Sequence, residues 1–275
     1  MDRRAFLFRS ASLVAGSFLG LSGISKAFGK NVPNSSASPI IALIIDDIGF
    51  STSCAKQFLD LGAPITFSIL PRLEKSRDLA MEIHEYGHEI MLHQPMEPCN
   101  PEVNPGPGAL YSGFTTPRIG SILEKNICSV PFAIGVNNHM GSKFTECQKE
   151  VNVALTIINE VGLFFVDSMT TSRSTAYETA KRLHMPAACR NMFLDNIQNE
   201  QAILSQLARL AGCALEYGHA IGIGHPYPVT ARAISRFVND YEAFGVSLVH
   251  VSKILSLRNA KTDEMHMPTD TVDYT

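Results

Sequence analysis

The chain alternates short apolar runs with longer amphipathic segments, and this pattern predicts its secondary structure. The short runs are rich in β-branched residues, as is typical of strands buried on both faces of a sheet. The longer segments repeat apolar residues at helical spacing, as Ile203, Leu207 and Leu210 do. Strands are predicted at 40–45, 64–69, 88–92, 132–136, 162–166, 220–224 and 246–250, with a weaker one at 185–189. Helices are predicted at 52–61, 74–86, 117–128, 146–160, 174–184, 197–217 and 229–243.

The order of these elements favours one class of fold. Alternation of strand and helix predicts a parallel sheet with right-handed connections. Seven or eight such units in one chain favour a closed α/β barrel over an open, doubly wound sheet. No G-x-G-x-x-G motif follows a strand, so the main reason to expect a dinucleotide-binding fold is absent.

The N-terminus has the layout of an export signal. Arg3 and Arg4 precede a weakly apolar stretch at 11–21, and residues 25–27 supply the small side chains that a signal peptidase reads. The paired arginines resemble a twin-arginine signal, which directs a protein to the periplasm or cell envelope. A signal that stays in place as a membrane anchor is the alternative; after cleavage no spanning segment is expected. The predicted organisation is a signal peptide at 1–27, a linker at 28–38, a barrel at 39–257 and a polar tail at 258–275.

Composition narrows the function only a little. Hydrophobic residues make up 45% and charged residues 18% of the chain, a balance ordinary for a globular protein. The net charge of -3 offers no basic surface for nucleic acid, which we do not expect as a partner. The six cysteines are scattered without a C-x-x-C motif, so we interpret them as small hydrophobic side chains, with Cys128 and Cys213 at buried positions on helices, and assign no disulfide pairs.

The most informative feature is the adjacent pair Asp46 and Asp47, directly after the first predicted strand. Two like charges resist ionising together and serve little structural purpose in a core. At the C-terminal end of a buried parallel strand they indicate metal binding or general base catalysis. The alternative is a structural role as an N-cap for the helix that starts near Ser51.

Other predicted strands also end in residues that bind metals or carry protons. They are followed by His93, by Asn137-Asn138-His139, by Asp167 and by His225. Parallel barrel strands deliver their C-terminal ends to one rim, so these groups should converge. One or two carboxylates with two imidazoles suit a divalent ion such as Zn²⁺ that keeps open positions for water. A second carboxylate can then act as a base, and a remote histidine can protonate a leaving group.

Five ordered segments between residues 39 and 257 resemble the divergent polysaccharide deacetylase family. They read I-I-D-D-I-G, G-H-E-I-M-L-H-Q-P-M-E-P, G-V-N-N-H-M-G-S, F-F-V-D-S and G-H-A-I-G-I-G-H-P-Y-P. The resemblance implies a distorted (β/α) barrel that removes acetyl groups from N-acetylated sugars. It also implies that Asp46 is the general base, that Asp47 and His93 are metal ligands, and that His225 protonates the leaving amine.

The sequence departs from the family pattern at two places. Glu97 replaces the second histidine of the H-x-x-x-H motif, and Asn137-Asn138-His139 stands where related enzymes have Arg-x-Pro. We expect His139 to complete the metal site with Asp47 and His93, and Glu97 to lie beside it or to substitute as a ligand.

Further residues near these strand ends are candidates for positioning and binding. Asp167 is expected to orient a histidine or the substrate, and either Asp167 or Arg173 could hold the base in the absence of Arg-x-Pro. Asn138, Arg173 and Tyr227 are predicted substrate-binding residues. The expected function is metal-dependent deacetylation of an envelope or exported polysaccharide or oligosaccharide. The alternatives are hydrolysis of an O-acetyl ester or another amide, and a non-catalytic glycan-binding accessory protein on the same barrel.

Overall fold

The computed structural model describes residues 38–264. The predicted signal peptide, nearly all of the predicted linker and residues 265–275 of the predicted tail lie outside these residues. Within the described range, the helices are too short or too polar to cross a membrane.

The structure contains a sheet of nine strands in which every pairing is parallel. The strands are β1 (Ile40–Ile48), β2 (Ile65–Ile69), β3 (Glu89–Met96), β4 (Ala133–Met140), β5 (Phe164–Asp167), β6 (Ala187–Cys189), β7 (Met192–Phe193), β8 (His219–Gly224) and β9 (Ser247–Leu248). All eight predicted strands are present. Strand β7 was not predicted, because two residues are too few to show a period.

Eight strands run in the order β6-β5-β4-β3-β2-β1-β8-β7, and β9 pairs with the start of β1. They form a curled, parallel half-barrel surrounded by helices, so the predicted distorted (β/α) barrel is confirmed. The end strands β6 and β7 are separated in sequence by only Arg190 and Asn191. These two residues therefore lie where the curled sheet remains open.

Eight α-helices and two short 3₁₀ helices, Phe144–Glu146 and Tyr241–Phe244, accompany the sheet in the described chain. The α-helices are α1 (Thr52–Leu59), α2 (Ser76–Glu85), α3 (Thr116–Ser129), α4 (Gln148–Glu160), α5 (Ala176–Arg182), α6 (Glu200–Tyr217), α7 (Pro228–Asp240) and α8 (Val251–Glu264). The first seven correspond to predicted helices. Helix α8 was not predicted, and it continues into the segment expected to be a polar tail.

The two faces of the sheet bury separate apolar clusters. In β1, Ile41, Leu43 and Ile45 pack with side chains of the outer helices, whereas Ala42 and Ile44 belong to the other cluster. This division follows from the two-residue period of a strand. The second cluster is completed by three residues of α8, namely Val251, Ile254 and Leu255. Helix α8 therefore covers the sheet face that the other helices leave open.

Candidate metal centre and active site

The end of β1 places two adjacent carboxylates beside one histidine. The register between β1 and β2 shifts between Ile45 and Ile48, and Asp47 has a φ of 58°. A bulge of this kind breaks the strict alternation of side chains, and aspartate tolerates the left-handed backbone better than most residues do. As a result His93 Nε2 lies 3.6 Å from Asp46 Oδ2 and 3.2 Å from Asp47 Oδ1.

Asp47, His93 and His139 form a candidate metal centre. His139 Nδ1 lies 2.9 Å from Asp47 Oδ1 and 3.1 Å from His93 Nε2, so the ligand atoms of the three residues face one another. Zinc bonds of about 2.0–2.2 Å in a tetrahedron would separate the donor atoms by roughly 3.3 Å, close to these distances. Asp47 Oδ1 is buried, and no described donor meets it with hydrogen-bond geometry. An oxygen and two ring nitrogens arranged in this way fit a shared cation.

Asn137 orients both the first histidine and the first aspartate. Its Oδ1 accepts a hydrogen bond from His93 Nδ1 at 2.7 Å and another from the Ser68 hydroxyl, while its Nδ2 donates to Asp46 Oδ1 at 2.8 Å. All four residues are buried. Because His93 donates through Nδ1, the neutral ring carries its lone pair on Nε2, which faces the carboxylates, as metal binding requires.

The two neighbouring carboxyl groups have pKa values displaced in opposite directions. Burial raises the pKa of Asp46, and the nearby charges of His93 and His225 offset this only in part. Burial would also raise the pKa of Asp47, but its interactions with His139 and His93 outweigh burial and lower it. Asp47 is thereby suited to remain an anionic ligand, and Asp46 to accept a proton. Paired groups with diverging pKa values are a common mark of acid–base sites.

His225, at the end of β8, is held by a buried aspartate. Asp195 Oδ1 lies 2.8 Å from His225 Nδ1, and Asp195 Oδ2 accepts hydrogen bonds from the backbone N–H of His225 at 2.6 Å and from Thr230 Oγ1 at 2.8 Å. Burial alone would lower the pKa of His225, but Asp195 and the charge of Asp46 raise it to about 9. The imidazole is therefore protonated at neutral pH, and Asp195 occupies the Nδ1 side of the ring.

Neither Asn137 nor Asp195 was predicted from the sequence to be a functional residue. Asn137 was noted at the strand end but was given no role of its own. Asp195 follows the two-residue strand β7. Because that strand was not predicted, Asp195 could not be recognised from the sequence as a residue at the end of a strand. Asn137 is the hydrogen-bond partner of His93, and Asp195 is that of His225; Asp167 is the partner of neither.

Asp167 instead holds the segment that follows β5. Its Oδ1 accepts a hydrogen bond from the backbone of Met169 at 2.9 Å, and its Oδ2 accepts one from Ser174 Oγ at 2.7 Å and one from the backbone of Tyr177 at 3.2 Å. Both carboxylate oxygens are thus used for local structure. The structure does not bring Asp167 into the Asp47, His93 and His139 cluster.

Glu97 lies in a separate polar network. Its carboxylate contacts Lys143 Nζ at 2.7 Å and accepts hydrogen bonds from the backbone N–H of Ser112 at 2.8 Å and its hydroxyl at 2.5 Å. Burial would raise the pKa of Glu97, but these contacts lower it. The carboxylate lies outside the candidate metal cluster and holds the loop after β3 instead.

The three predicted substrate-binding residues have different surroundings. The side-chain amide of the buried Asn138 accepts a hydrogen bond from the backbone N–H of Ser168 and donates one to the carbonyl oxygen of Met140, each at 2.8 Å. Asn138 thereby joins the ends of β4 and β5. Arg173 is exposed and pairs with Glu146 at 2.9 Å. Tyr227 lies beside the site, with its ring centroid 5.9 Å from that of His225.

Arg190 connects the two edges of the open sheet. Its Nε donates to the carbonyl oxygen of Ser168 at 2.7 Å, and its Nη2 donates to that of Met169 at 3.0 Å. The guanidinium lies 3.8 Å from the centroid of the Phe193 ring, which in turn stacks against His225. Arg190 thus joins the end of β5 to the histidine side of the site.

These features define a parallel half-barrel with a candidate carboxylate–histidine–histidine metal centre at the ends of its strands. The family model for divergent polysaccharide deacetylases matches residues 43–255. The chain therefore belongs to the divergent polysaccharide deacetylase family, as the five sequence motifs predicted.

Three proteins illustrate what the chain is similar to. The chain is 31% identical over 224 residues to the uncharacterized protein YibQ of Escherichia coli (strain K12), covering 80% of this chain and 70% of that protein. It is 32% identical over 196 residues to an uncharacterized protein of Haemophilus influenzae, covering 70% and 69% of the two chains. The crystal structure of the uncharacterized protein ATU2773 from Agrobacterium tumefaciens C58 superposes with a TM-score of 0.76 at 25% identity, covering 80% of this chain and 90% of that one.

Proposed function

We propose that the protein is a zinc-dependent hydrolase that removes acetyl groups from N-acetylated sugars of an exported or envelope polysaccharide. The observation that carries this proposal is the convergence of an Asp–His–His cluster, a buried carboxylate and a His–Asp pair at one rim of the barrel. Membership of the deacetylase family supports the same chemistry.

Asp47, His93 and His139 would hold the ion, because imidazole and carboxylate donors in this number suit Zn²⁺ and leave positions open for water and substrate. When bound, the ion would polarise the acetyl carbonyl and lower the pKa of a water molecule. Asn137 keeps His93 in the tautomer that binding needs. Each of the three ligands comes from a different strand, which fixes their spacing.

Two further side chains would move protons. Asp46, with its raised pKa and one oxygen fixed by Asn137, accepts a proton from the attacking water. His225 donates a proton to the departing nitrogen as the C–N bond breaks, so the products are acetate and a free amine. Asp195 holds the ring of His225 and stabilises its protonated form.

Acetate release tests this proposal. Metal-loaded protein would be incubated with chitin oligosaccharides and with peptidoglycan fragments, beside an Asp46→Asn variant of the same size. The wild-type chain should release acetate, and the variant should be at least about 100-fold slower, as is usual when a general base is lost.

Two results would redirect the assignment. Tight glycan binding without acetate release would contradict the proposal and favour the non-catalytic accessory role. Release confined to O-acetylated glycans would retain the hydrolase but change the bond that it cleaves.

The site of action is also a proposal, and it rests on the signal-like sequence at 1–27. The mature protein would work in the periplasm or cell envelope, where such glycans occur. N-terminal sequencing of the protein recovered from fractionated cells should place the start of the mature chain close to residue 28. An intact N-terminus in the cytoplasmic fraction would contradict this.

A further inference from the structure

A cavity of about 220 Å³ lies beside the candidate metal centre. Its lining comes from the end of β1, the turn after it and the start of α1, together with the segment that follows β8. Asp47 lines this cavity and also belongs to the metal cluster. Pro226 and Tyr227, which also line it, directly follow His225. The cavity therefore adjoins the place where the acyl group would react.

The walls of the cavity are mainly apolar. Its lining includes Ile48, Phe50, Cys54 and Pro226. Two of the polar side chains in the lining are engaged, since the Ser51 hydroxyl hydrogen-bonds to that of Ser53 at 2.9 Å and the Asp47 carboxylate faces two histidines. Tyr227 brings the other hydroxyl of the lining. A sugar ring would leave most of its hydroxyl groups unpaired here, and such burial is unfavourable.

The volume exceeds what an acetyl group needs. An apolar protein cavity of about 150 Å³ is enough to bind benzene, which has six carbons. The methyl group of an acetyl would fill only a small part of this space. An alkyl chain has no hydrogen bonds to lose, and each methylene that it buries should strengthen binding about fourfold.

We propose that this cavity binds the alkyl chain of N-acyl groups longer than acetyl, of about four to six carbons, and that the site removes these groups from amino sugars as well as acetyl. The inference rests on the proposed deacylation at the same site. The reaction balances in the same way, because water cleaves the C–N bond and releases a free amine and a carboxylic acid.

A binding measurement tests the cavity without relying on turnover. Cys54 lies in the cavity wall, so its alkylation by iodoacetamide, followed by peptide mass spectrometry on the full metal-loaded chain, reports occupancy. Hexanoate should slow alkylation of Cys54 at least tenfold at concentrations where acetate has no effect. Cys128, which the sequence predicted to be buried, is instead exposed on α3 and serves as the internal control. Equal alkylation of Cys54 in hexanoate and in acetate would overturn the inference.

A turnover measurement tests the specificity. The kcat/KM of N-hexanoyl chitooligosaccharides should equal or exceed that of the N-acetyl forms. Cys54→Phe fills the cavity and should lower the hexanoyl-to-acetyl ratio of kcat/KM at least tenfold, whereas Cys128→Phe should leave the ratio unchanged.

The outcomes separate this inference from the proposed function. Efficient release of acetate with hexanoyl release more than tenfold slower would overturn the acyl-chain inference and leave the deacetylase intact. Failure to release any acyl group would contradict the proposed function. The protection of Cys54 by hexanoate would then show by itself whether the cavity binds an alkyl chain.

Discussion

At the scale of single residues, different surroundings give two chemically identical side chains different pKa values. Asp46 and Asp47 are adjacent in sequence, yet burial dominates for one and histidine contacts dominate for the other. The sequence predicted that both were important, because tandem aspartates at a strand end are hard to explain by structure alone. It could not predict Asn137 as their organiser, since an amide carries no such signal and its role depends on strand register.

Replacing Asn137 should weaken metal binding without removing a ligand. Asn137→Ala deletes the acceptor that holds His93 Nδ1 and the donor that holds Asp46, so we expect Zn²⁺ affinity to fall about 10–100-fold. Competition with a chromophoric chelator would measure it. Asn138→Ala is the matched control, because it removes an equally buried amide that bonds only to backbone. Equal affinities for the Asn137 variant and the wild-type protein would contradict this role.

The His225–Asp195 pair predicts a pH dependence. If protonated His225 is the acid, kcat/KM should fall as pH rises through about 9, where His225 loses its proton. Asp195→Asn removes the largest of the interactions that raise the pKa of His225 against burial and leaves that of Asp46, so this fall should move to lower pH by about one unit or more. A pH–rate profile of both proteins decides the matter. An unshifted alkaline limb in the variant would exclude His225 as the titrating acid.

At the scale of elements, apolar patterning located the strands but not their ends. Strands β1, β3 and β4 each continue past the predicted end and carry Asp46, His93 and His139 within them. Polar side chains at these positions interrupted the apolar pattern, while the backbone went on pairing. Strand β7 and helix α8 were not predicted at all, because neither contains an apolar run long enough to show a period.

The loop after β3 offers a prediction about Glu97. Glu97→Ala should leave metal content unchanged, because the carboxylate bonds to Lys143 and Ser112 rather than to the metal cluster. It should lower the free energy of unfolding by about 1–3 kcal/mol through the lost hydrogen bonds to a charged group. Urea denaturation and metal analysis of the same samples would test both statements. Loss of the metal in this variant would instead make Glu97 a ligand.

At the scale of the whole molecule, the open half-barrel needs a cover on the face that α1–α7 do not occupy. Helix α8 provides it by inserting Val251, Ile254 and Leu255 into the second apolar cluster. The fold class was predictable from the order of strands and helices. This closure was not, since it depends on which sheet face remains exposed once the other helices have packed.

A point variant tests the contribution of α8. Ile254 is 1% exposed, so Ile254→Ala should lower the free energy of unfolding by about 2–5 kcal/mol. Leu257→Ala on the same helix is the control, because Leu257 is 37% exposed and its loss should cost less than about 1 kcal/mol. Chemical denaturation gives both values. Equal stabilities of the two variants would show that α8 does not close the core.

The central claim is that Asp47, His93 and His139 bind one divalent ion, and elemental analysis of the purified protein tests it most directly. We predict about one Zn²⁺ or similar ion per chain, lost in Asp47→Ala, His93→Ala and His139→Ala proteins that remain folded by circular dichroism. Absence of metal from the wild-type chain after reloading, or its full retention in any of the three variants, would contradict the account.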